Sequence, residues 1–164
     1  MNKLAVLETP GGNIGELICE ALRRLKNSGG FVSASVSSLP SVENGLEPDL
    51  LIVPGRAGRL GTALPPSGSC GILLIPGALN APQGIRAGKV VKYGMSGDCS
   101  VTLSSIGETR SMLSVRRTLP TLSGSVIERQ EFPVRHAPRA SPEDTIACAA
   151  ALLMLGATPD MLVF

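Results

Sequence analysis

The spacing of hydrophobic and polar positions in the first forty residues predicts a strand, a helix and a second strand. Residues 4–7 form a short apolar run that is followed by Pro10–Gly12. From Asn13, the expected N-cap, apolar positions recur at helical spacing and basic residues occupy the last turns before Ser28–Gly30. A second apolar segment covers residues 31–36. This strand–turn–helix–strand order is typical of a parallel sheet.

Two similar apolar runs occupy the middle of the chain. Residues 49–55 read Asp-Leu-Leu-Ile-Val-Pro-Gly, and residues 71–77 read Gly-Ile-Leu-Leu-Ile-Pro-Gly. Continuous runs of this length, each ending in Pro-Gly, predict strands that are buried on both faces of a sheet. The polar segment 37–48 that precedes them predicts a loop or one short helix.

After Lys89 the pattern becomes alternating, which is typical of antiparallel strands with one solvated face. Turns are expected at Gly107-Glu108 and Ser123-Gly124. The strands predicted in this part of the chain cover residues 90–93, 100–104, 111–116 and 126–134.

A final helix is predicted from residue 142 to residue 155. Ser141 is the expected N-cap, Pro142 occupies the first helical position, acidic residues follow, and Gly156 ends the helix. The predicted fold class is α/β, with a mostly parallel, doubly wound sheet of the P-loop or Rossmann type and an antiparallel, β-rich extension. We expect a single domain over 1–164, divided into a βαβ-type half (1–88), the β-rich extension (89–140) and a C-terminal helix (141–164).

Composition excludes several classes of protein. Hydrophobic residues make up 43% of the chain and charged residues 17%, which argues against disorder. Aromatic residues are only 2%, and the net charge of +2 is spread along the chain, so we expect no nucleic-acid partner. No apolar run reaches the roughly 18 residues of a membrane span, and the start does not resemble a signal peptide. Because the four cysteines form no C-x-x-C pair, we expect a reduced, cytoplasmic setting.

The turn between the first strand and the first helix lies where α/β proteins place an anion site. Backbone N–H groups and the helix dipole favour phosphate there. A complete phosphate loop also requires Gly-Lys-Ser/Thr, but Glu16 and Leu17 follow the last glycine of this turn. Three interpretations of this turn stay open. It is a tight turn whose backbone conformation requires glycine, or it is a weak anion site formed by main-chain N–H groups. An ATP-hydrolysing loop is the least favoured of the three. The candidate ligand-binding residues of the turn are Gly11, Gly12, Asn13 and Gly15.

Arginines follow the two central apolar runs. Arg56 and Arg59 come after the first run, and Arg86 comes after the second. If these strands are parallel to the first strand, their loops share its carboxyl edge, where open α/β sheets bind ligands. Arginine binds carboxylate or phosphate through two parallel hydrogen bonds. These three side chains therefore form an anion pocket with the glycine turn, or they are ordinary solvated arginines.

Several segments resemble the central domain of the Mur ligase family. Residues 12–17 (Gly-Asn-Ile-Gly-Glu-Leu) resemble the family's GTNGKT loop. Residues 90–96 resemble its strand ending in Tyr/Phe-Gly, and the β-rich stretch to Val134 resembles the hairpins that follow that strand. Residues 144–156 have the spacing of its N-A-L-A-A…L-G helix.

The resemblance implies a fold and a function class. Mur ligases are bacterial ATP-dependent amide-bond ligases of peptidoglycan assembly, and folylpolyglutamate synthase is a relative. Asp144 stands where the family has an Asn that approaches the adenine, which makes it a candidate adenine-side position. Because Glu16 and Leu17 occupy the loop's Lys and Thr positions, we expect ATP-dependent ligase activity to be absent.

Nucleophilic and metal chemistry have little support in the sequence. His136 is the only histidine, so an imidazole metal site is not expected. Cys99 with His136 as its base is a conceivable nucleophile, but the two residues lie far apart in the sequence. Cys19 and Cys148 lie among apolar helical positions and are expected in the core.

The sequence favours a binding or interaction module with no catalytic residues and no cofactor. Its expected partners are a small anionic ligand, and a protein partner or a second copy of the chain that pairs through exposed edge strands. The alternative is an enzyme that uses the arginine loops together with Asp98 or Asp144 for acid–base chemistry. A third class is a structural subunit that completes a partner.

Overall fold

The computed structural model describes residues 1–7, 11–27, 34–39, 47–56, 68–81, 83–135 and 139–162. Two α-helices are described in these ranges, α1 (Ile14–Asn27) and α2 (Pro142–Met154), together with a short 3-10 helix (Pro159–Met161). The strands are β1 (Asn2–Leu7), β2 (Ala34–Leu39), β3 (Leu50–Ile52), β4 (Gly68–Pro76), β5 (Ile85–Tyr93), β6 (Val101–Ile106), β7 (Arg110–Val115), β8 (Leu119–Pro120), β9 (Val126–Ile127) and β10 (Gln130–Arg135). The predicted α/β class is confirmed.

Eight of these strands form one sheet in the order β10-β7-β6-β5-β4-β3-β1-β2. The six strands from β2 to β6 in this order pair in parallel. Antiparallel pairing joins β6 to β7 and β7 to β10, and β8 and β9 form a separate two-stranded hairpin. The sheet is thus mostly parallel, as predicted.

Alternate side chains of the central strands enter two separate apolar clusters. On one face, Leu4, Leu50 and Ile72 pack with the helices, since α1 and α2 belong to the same cluster and contact each other. On the opposite face, Ala5, Leu51 and Leu73 belong to the second cluster. Burial on both faces explains why these strands appear as continuous apolar runs.

The chain changes direction across the sheet at β1. β1 and α1 lead to β2 on one side of β1, and the chain then returns to form β3 on the other side. The direction in which successive strands are added to the sheet therefore reverses between β1 and β3. In open α/β sheets this topological switch point is the usual place for a ligand.

Local sequence signals account for both described helices. The Asn13 carbonyl accepts the Leu17 N–H at 2.9 Å, which places Asn13 at the N-cap of α1 as predicted. At α2 the Asp144 N–H donates to Ser141 Oγ at 3.1 Å, and Pro142 occupies the first turn. Gly156, with φ +95°, follows the end of α2. The predicted bounds of both helices are confirmed to within a residue.

The antiparallel part of the sheet begins later than predicted. β5 covers Ile85–Tyr93 and pairs in parallel with β4, so the expected change at Lys89 falls inside a parallel strand. The alternating pattern of β5 arises because the face opposite the helices is partly solvated there, with Val90 47% exposed. An alternating apolar and polar pattern shows that one face of the strand is exposed, but it does not show whether the strand is parallel or antiparallel.

Other strand boundaries were also displaced. β2 covers Ala34–Leu39 rather than residues 31–36, of which residues 31–33 lie outside the described chain. Its bounds follow the pairing with β1, which continues to Leu7↔Leu39. The strand predicted at 126–134 is divided into β9 and β10. The short strand β8 was not predicted.

Candidate functional site

The glycine turn lies at the carboxyl end of β1 and leads directly into α1. Gly11 has φ +78°, a left-handed conformation that side chains other than glycine rarely adopt. Asn13 caps the helix, and Gly15 lies in its first turn. An α-helix leaves the N–H groups of its first turn without intrahelical acceptors, and its dipole favours anions at this end. The geometry suits a main-chain anion site.

The structure brings Arg56 to this turn. β3 pairs in parallel with β1, so the segment that follows β3 lies at the same edge of the sheet. A Cβ placed on Gly11 would be 4.0 Å from Arg56 Nη1. The Arg56 guanidinium therefore lies beside the glycine turn, and the anion pocket suggested for the two stays a prediction. Arg59 lies outside the described residues.

Arg86 does not join this site. It is the second residue of β5 and pairs with Ser69 near the start of β4. Because β4 and β5 are parallel to β1, Arg86 lies near the amino edge of the sheet. Tyr93, at the carboxyl end of β5, lies seven positions further along the strand, which is a distance of roughly 23 Å. The predicted three-arginine pocket is therefore wrong with respect to Arg86, since the strand begins earlier than its apolar run.

Tyr93 holds the ends of β3 and β5 together. Its hydroxyl donates a hydrogen bond to the Val53 carbonyl at 2.8 Å and accepts one from the Gly55 N–H. Tyr93 is only 1% exposed. Burial raises the pKa of Tyr93 well above its usual range, and the nearby carboxylates of Asp144 and Glu143 raise it further. Tyr93 therefore remains a neutral phenol that fixes the backbone next to Arg56.

The first turn of α2 adds two acidic residues to this edge. A Cβ on Gly55 would collide with the Glu143 carboxylate, so Gly55 allows Glu143 to pack directly over the segment that carries Arg56. Asp144, the candidate adenine-side residue, is 8% exposed and its charge acts on Tyr93. Apart from Asp144, the sequence did not predict this arrangement. The sequence did contain a signal for the role of Tyr93, since it is the one Tyr of the chain and stands at the end of a predicted strand.

The charge at this edge is mixed. Arg56 and the amide groups of the glycine turn favour an anion, whereas the exposed Glu16 in the first turn of α1 opposes one. Glu143 and Asp144 add negative charge next to Gly55 and Tyr93. Such a site suits an anion of low charge better than a polyphosphate, because a polyphosphate would meet these carboxylates without a compensating lysine.

A second polar cluster lies at the carboxyl ends of β4 and β5. Lys92 Nζ is 3.3 Å from the Gly77 carbonyl oxygen and 3.8 Å from Asp98 Oδ2. Ser96 Oγ donates to Asp98 Oδ1 at 2.6 Å and is 3.1 Å from Cys99 Sγ. The hydrogen bond from Ser96 lowers the pKa of Asp98, with smaller effects from its own backbone N–H, Lys92 and Arg117. Asp98 is therefore held as a carboxylate, which makes it a poor general acid.

The cysteines give no reactive group in the described chain. Cys99 is fully buried against Gly77, so its Sγ is not accessible to a substrate. Its suggested base, His136, lies outside the described residues. Burial raises the pKa of Cys70 to about 11, which keeps it as a thiol at neutral pH. Cys148 lies in the core as predicted, whereas Cys19 is half-buried.

Metal-ligand clusters and membrane-spanning helices are both absent from the described ranges of the chain. No group of three or more His, Cys, Asp or Glu side chains in these ranges has a metal-binding arrangement. None of the helices in them has both the length and the apolar character needed to cross a bilayer.

The chain was also compared with known proteins. No model of a protein family matches the sequence, and no curated protein has significant similarity to it.

Proposed function

We propose that this chain is a binding module related to the central domain of the Mur ligases, and that it binds a small anion at the carboxyl ends of β1 and β3. The observation that carries this proposal is the position of Arg56 Nη1 beside Gly11, at the topological switch point of the sheet. A guanidinium and the amide groups of a helix N-terminus together supply the donors that a carboxylate or phosphate requires.

Three segments that carry the family resemblance support this assignment by their positions. The glycine turn and the Tyr93-Gly94 segment follow the carboxyl ends of β1 and β5, and α2 begins near Tyr93. Residues distant in sequence thus meet at one edge through the Tyr93 hydroxyl, which binds the backbone of Val53 and Gly55. A P-loop or Rossmann-like arrangement is proposed on the same grounds.

We propose further that the module lacks ATP-dependent ligase activity. Phosphoryl transfer needs a cation at the outer phosphates and a hydroxyl for Mg²⁺. At the matching positions this chain has Glu16, which is exposed in the first turn of α1, and Leu17, which packs in the core. Neither side chain can replace the missing group, so the ligand is expected to be bound without being activated.

Binding is tested by thermal unfolding and calorimetric titration with inorganic phosphate, ADP, ATP–Mg²⁺ and a UDP-sugar. A ligand that binds only the folded state raises the melting temperature by an amount that grows with the logarithm of one plus the ratio of the free ligand concentration to Kd. We expect phosphate to stabilise the chain at millimolar concentration and ATP–Mg²⁺ to produce no phosphate release.

The matched variants for this experiment are Gly12→Val, which places a branched side chain in the turn, and Gly97→Ala, whose added Cβ meets nothing within 4 Å. Stabilisation by phosphate should be lost in Gly12→Val and kept in Gly97→Ala. Absence of any shift in the unaltered chain at 10 mM of every ligand, about ten times a millimolar Kd, would overturn the proposal.

A further inference from the structure

A separate cavity lies beside the edge strand β10, at the end of the sheet away from β1 and β2. Its volume is about 350 Å³, within the usual range for sites of small organic ligands. The ends of β7 and β10 form one wall, and the segment from the 3-10 helix to Leu162 forms the other. The Arg135 N–H donates to the Leu162 carbonyl at 3.3 Å, which joins the two walls.

Two arginines face each other at this cavity. Arg110 and Arg135 are direct cross-strand partners in the β7–β10 pair, and both line the cavity. Within the described chain neither guanidinium makes a hydrogen bond or an ion pair. Cβ atoms of such partners are roughly 5 Å apart, and like charges at this separation destabilise a strand pair. An anion between the two guanidinium groups would remove this repulsion.

The rest of the lining is largely apolar. Pro133 and Pro159 contribute exposed carbon surface to the cavity, whereas Val134 and Leu162 border it but are only 1% and 2% exposed. Among the described residues that line it, the acidic one is Asp160, whose carboxylate accepts a hydrogen bond from the Thr158 hydroxyl. An arginine pair over an apolar floor is the arrangement expected for an anionic group attached to a hydrocarbon part.

We propose that this cavity binds a small ligand with a carboxylate or phosphate group joined to a short apolar chain. Arg110 and Arg135 would clamp the anionic group, and the exposed rings of Pro133 and Pro159 would cover the apolar chain. This site is independent of the one at the carboxyl ends of β1 and β3, because it lies among β7, β10 and the C-terminal segment.

The proposal is tested by NMR titration of the full chain with three probes, hexanoate, hexyl phosphate and inorganic phosphate, at constant ionic strength. We expect one of the two hexyl probes to shift the amide resonances of Val134, Arg135 and Leu162. Inorganic phosphate should bind at least about tenfold more weakly there, since it lacks the apolar chain. The comparison of the hexyl probes distinguishes a carboxylate ligand from a phosphate ligand.

Matched variants test the role of the arginine pair. Arg110→Gln and Arg135→Gln should each weaken binding by about tenfold, whereas Arg129→Gln removes the same charge from an exposed position outside the cavity and should change little. Asp160→Asn should retain or strengthen binding, because it removes a carboxylate from the lining. The proposal is overturned if no hexyl probe shifts these resonances at 10 mM, about ten times a millimolar Kd, or if Arg110→Gln and Arg129→Gln weaken binding equally.

Discussion

At the scale of single residues, Gly71 in β4 lies directly against the backbone of Asp49, the residue that precedes β3. A Cβ at this position would lie 2.7 Å from the Asp49 carbonyl oxygen, which already accepts the Ile72 N–H at 2.9 Å. Gly68, in the same strand, has nothing within 4 Å of the corresponding position. In β4, packing therefore requires glycine at position 71 but does not require it at position 68.

Gly71→Ala is therefore expected to destabilise the chain by about 1–3 kcal/mol, because β3 and β4 must separate to admit the methyl group. Gly68→Ala should change the free energy of unfolding by less than about 0.5 kcal/mol. Urea denaturation of both variants measures the difference. Equal stabilities would mean that β3 and β4 do not approach each other at Gly71.

Tyr93 gives a second prediction at this scale, since it is the only tyrosine and the chain has no tryptophan. The pKa of Tyr93 is raised in the folded state, whereas the pKa of a tyrosine in an unfolded chain is about 10. The stability contributed by the neutral phenol is therefore complete below that pH and is lost as the pH rises above it.

The near-ultraviolet absorbance of tyrosinate measures this ionisation directly. We expect no tyrosinate in the folded chain at pH values where the urea-unfolded chain is already ionised, and a rise only as alkali unfolds the protein. Tyr93→Phe should lose about 1–3 kcal/mol at neutral pH, since the Val53 carbonyl and the Gly55 N–H lose their buried partner. A folded chain that titrates like the unfolded one would contradict the buried hydrogen bonds.

At the scale of secondary-structure elements, the N-terminal cap of α2 stabilises this helix and also positions Glu143. Every residue from Asp144 to Met154 is buried. The Ser141 hydroxyl accepts the Asp144 N–H, and its carbonyl accepts both the N–H and the hydroxyl of Thr145. The cap therefore fixes the turn that places Glu143 over Gly55.

Ser141→Ala is expected to cost about 1 kcal/mol of unfolding free energy, and Ser141→Asn should retain most of it, because Asn also caps helices well. Thermal unfolding of the two variants measures the difference. If both lose the same stability, the hydroxyl does not cap α2.

The elements also show which parts of the fold were accessible from sequence. Both described helices were predicted because caps and stop signals act locally, as Asn13, Ser141 and Gly156 illustrate. Strand direction was not accessible in the same way. β5 alternates like an antiparallel strand but is parallel, because alternation depends on what covers each face of the sheet. The early start of β5, and hence the position of Arg86, is fixed by pairing with β4.

At the scale of the whole molecule, the strand order defines the candidate site. The order β2-β1-β3 creates a switch point that no local pattern reveals, and it brings Arg56 to the glycine turn while Arg86 remains near the opposite edge. The sequence indicated the glycine turn through its position after an apolar run. The contributions of Tyr93 and Glu143 arise from contacts between distant segments.

The edge of the sheet bears on the predicted pairing of two copies. β10 is an edge strand with Pro133 at its centre and exposed charges at Glu131 and Arg135. Proline lacks an N–H donor, and charged side chains discourage a further strand from pairing. A homo-oligomer through edge strands stays a prediction, and these features of β10 oppose it on that side.

The central claim is that the anion site lies beyond β1 and β3 and includes Arg56 but not Arg86. Calorimetric titration with inorganic phosphate of Arg56→Gln and Arg86→Gln tests this claim most directly, since each variant removes one exposed positive charge. We expect Arg56→Gln to weaken phosphate binding by about tenfold and Arg86→Gln to change it by less than about twofold. Equal losses in the two variants, or a larger loss in Arg86→Gln, would contradict the account.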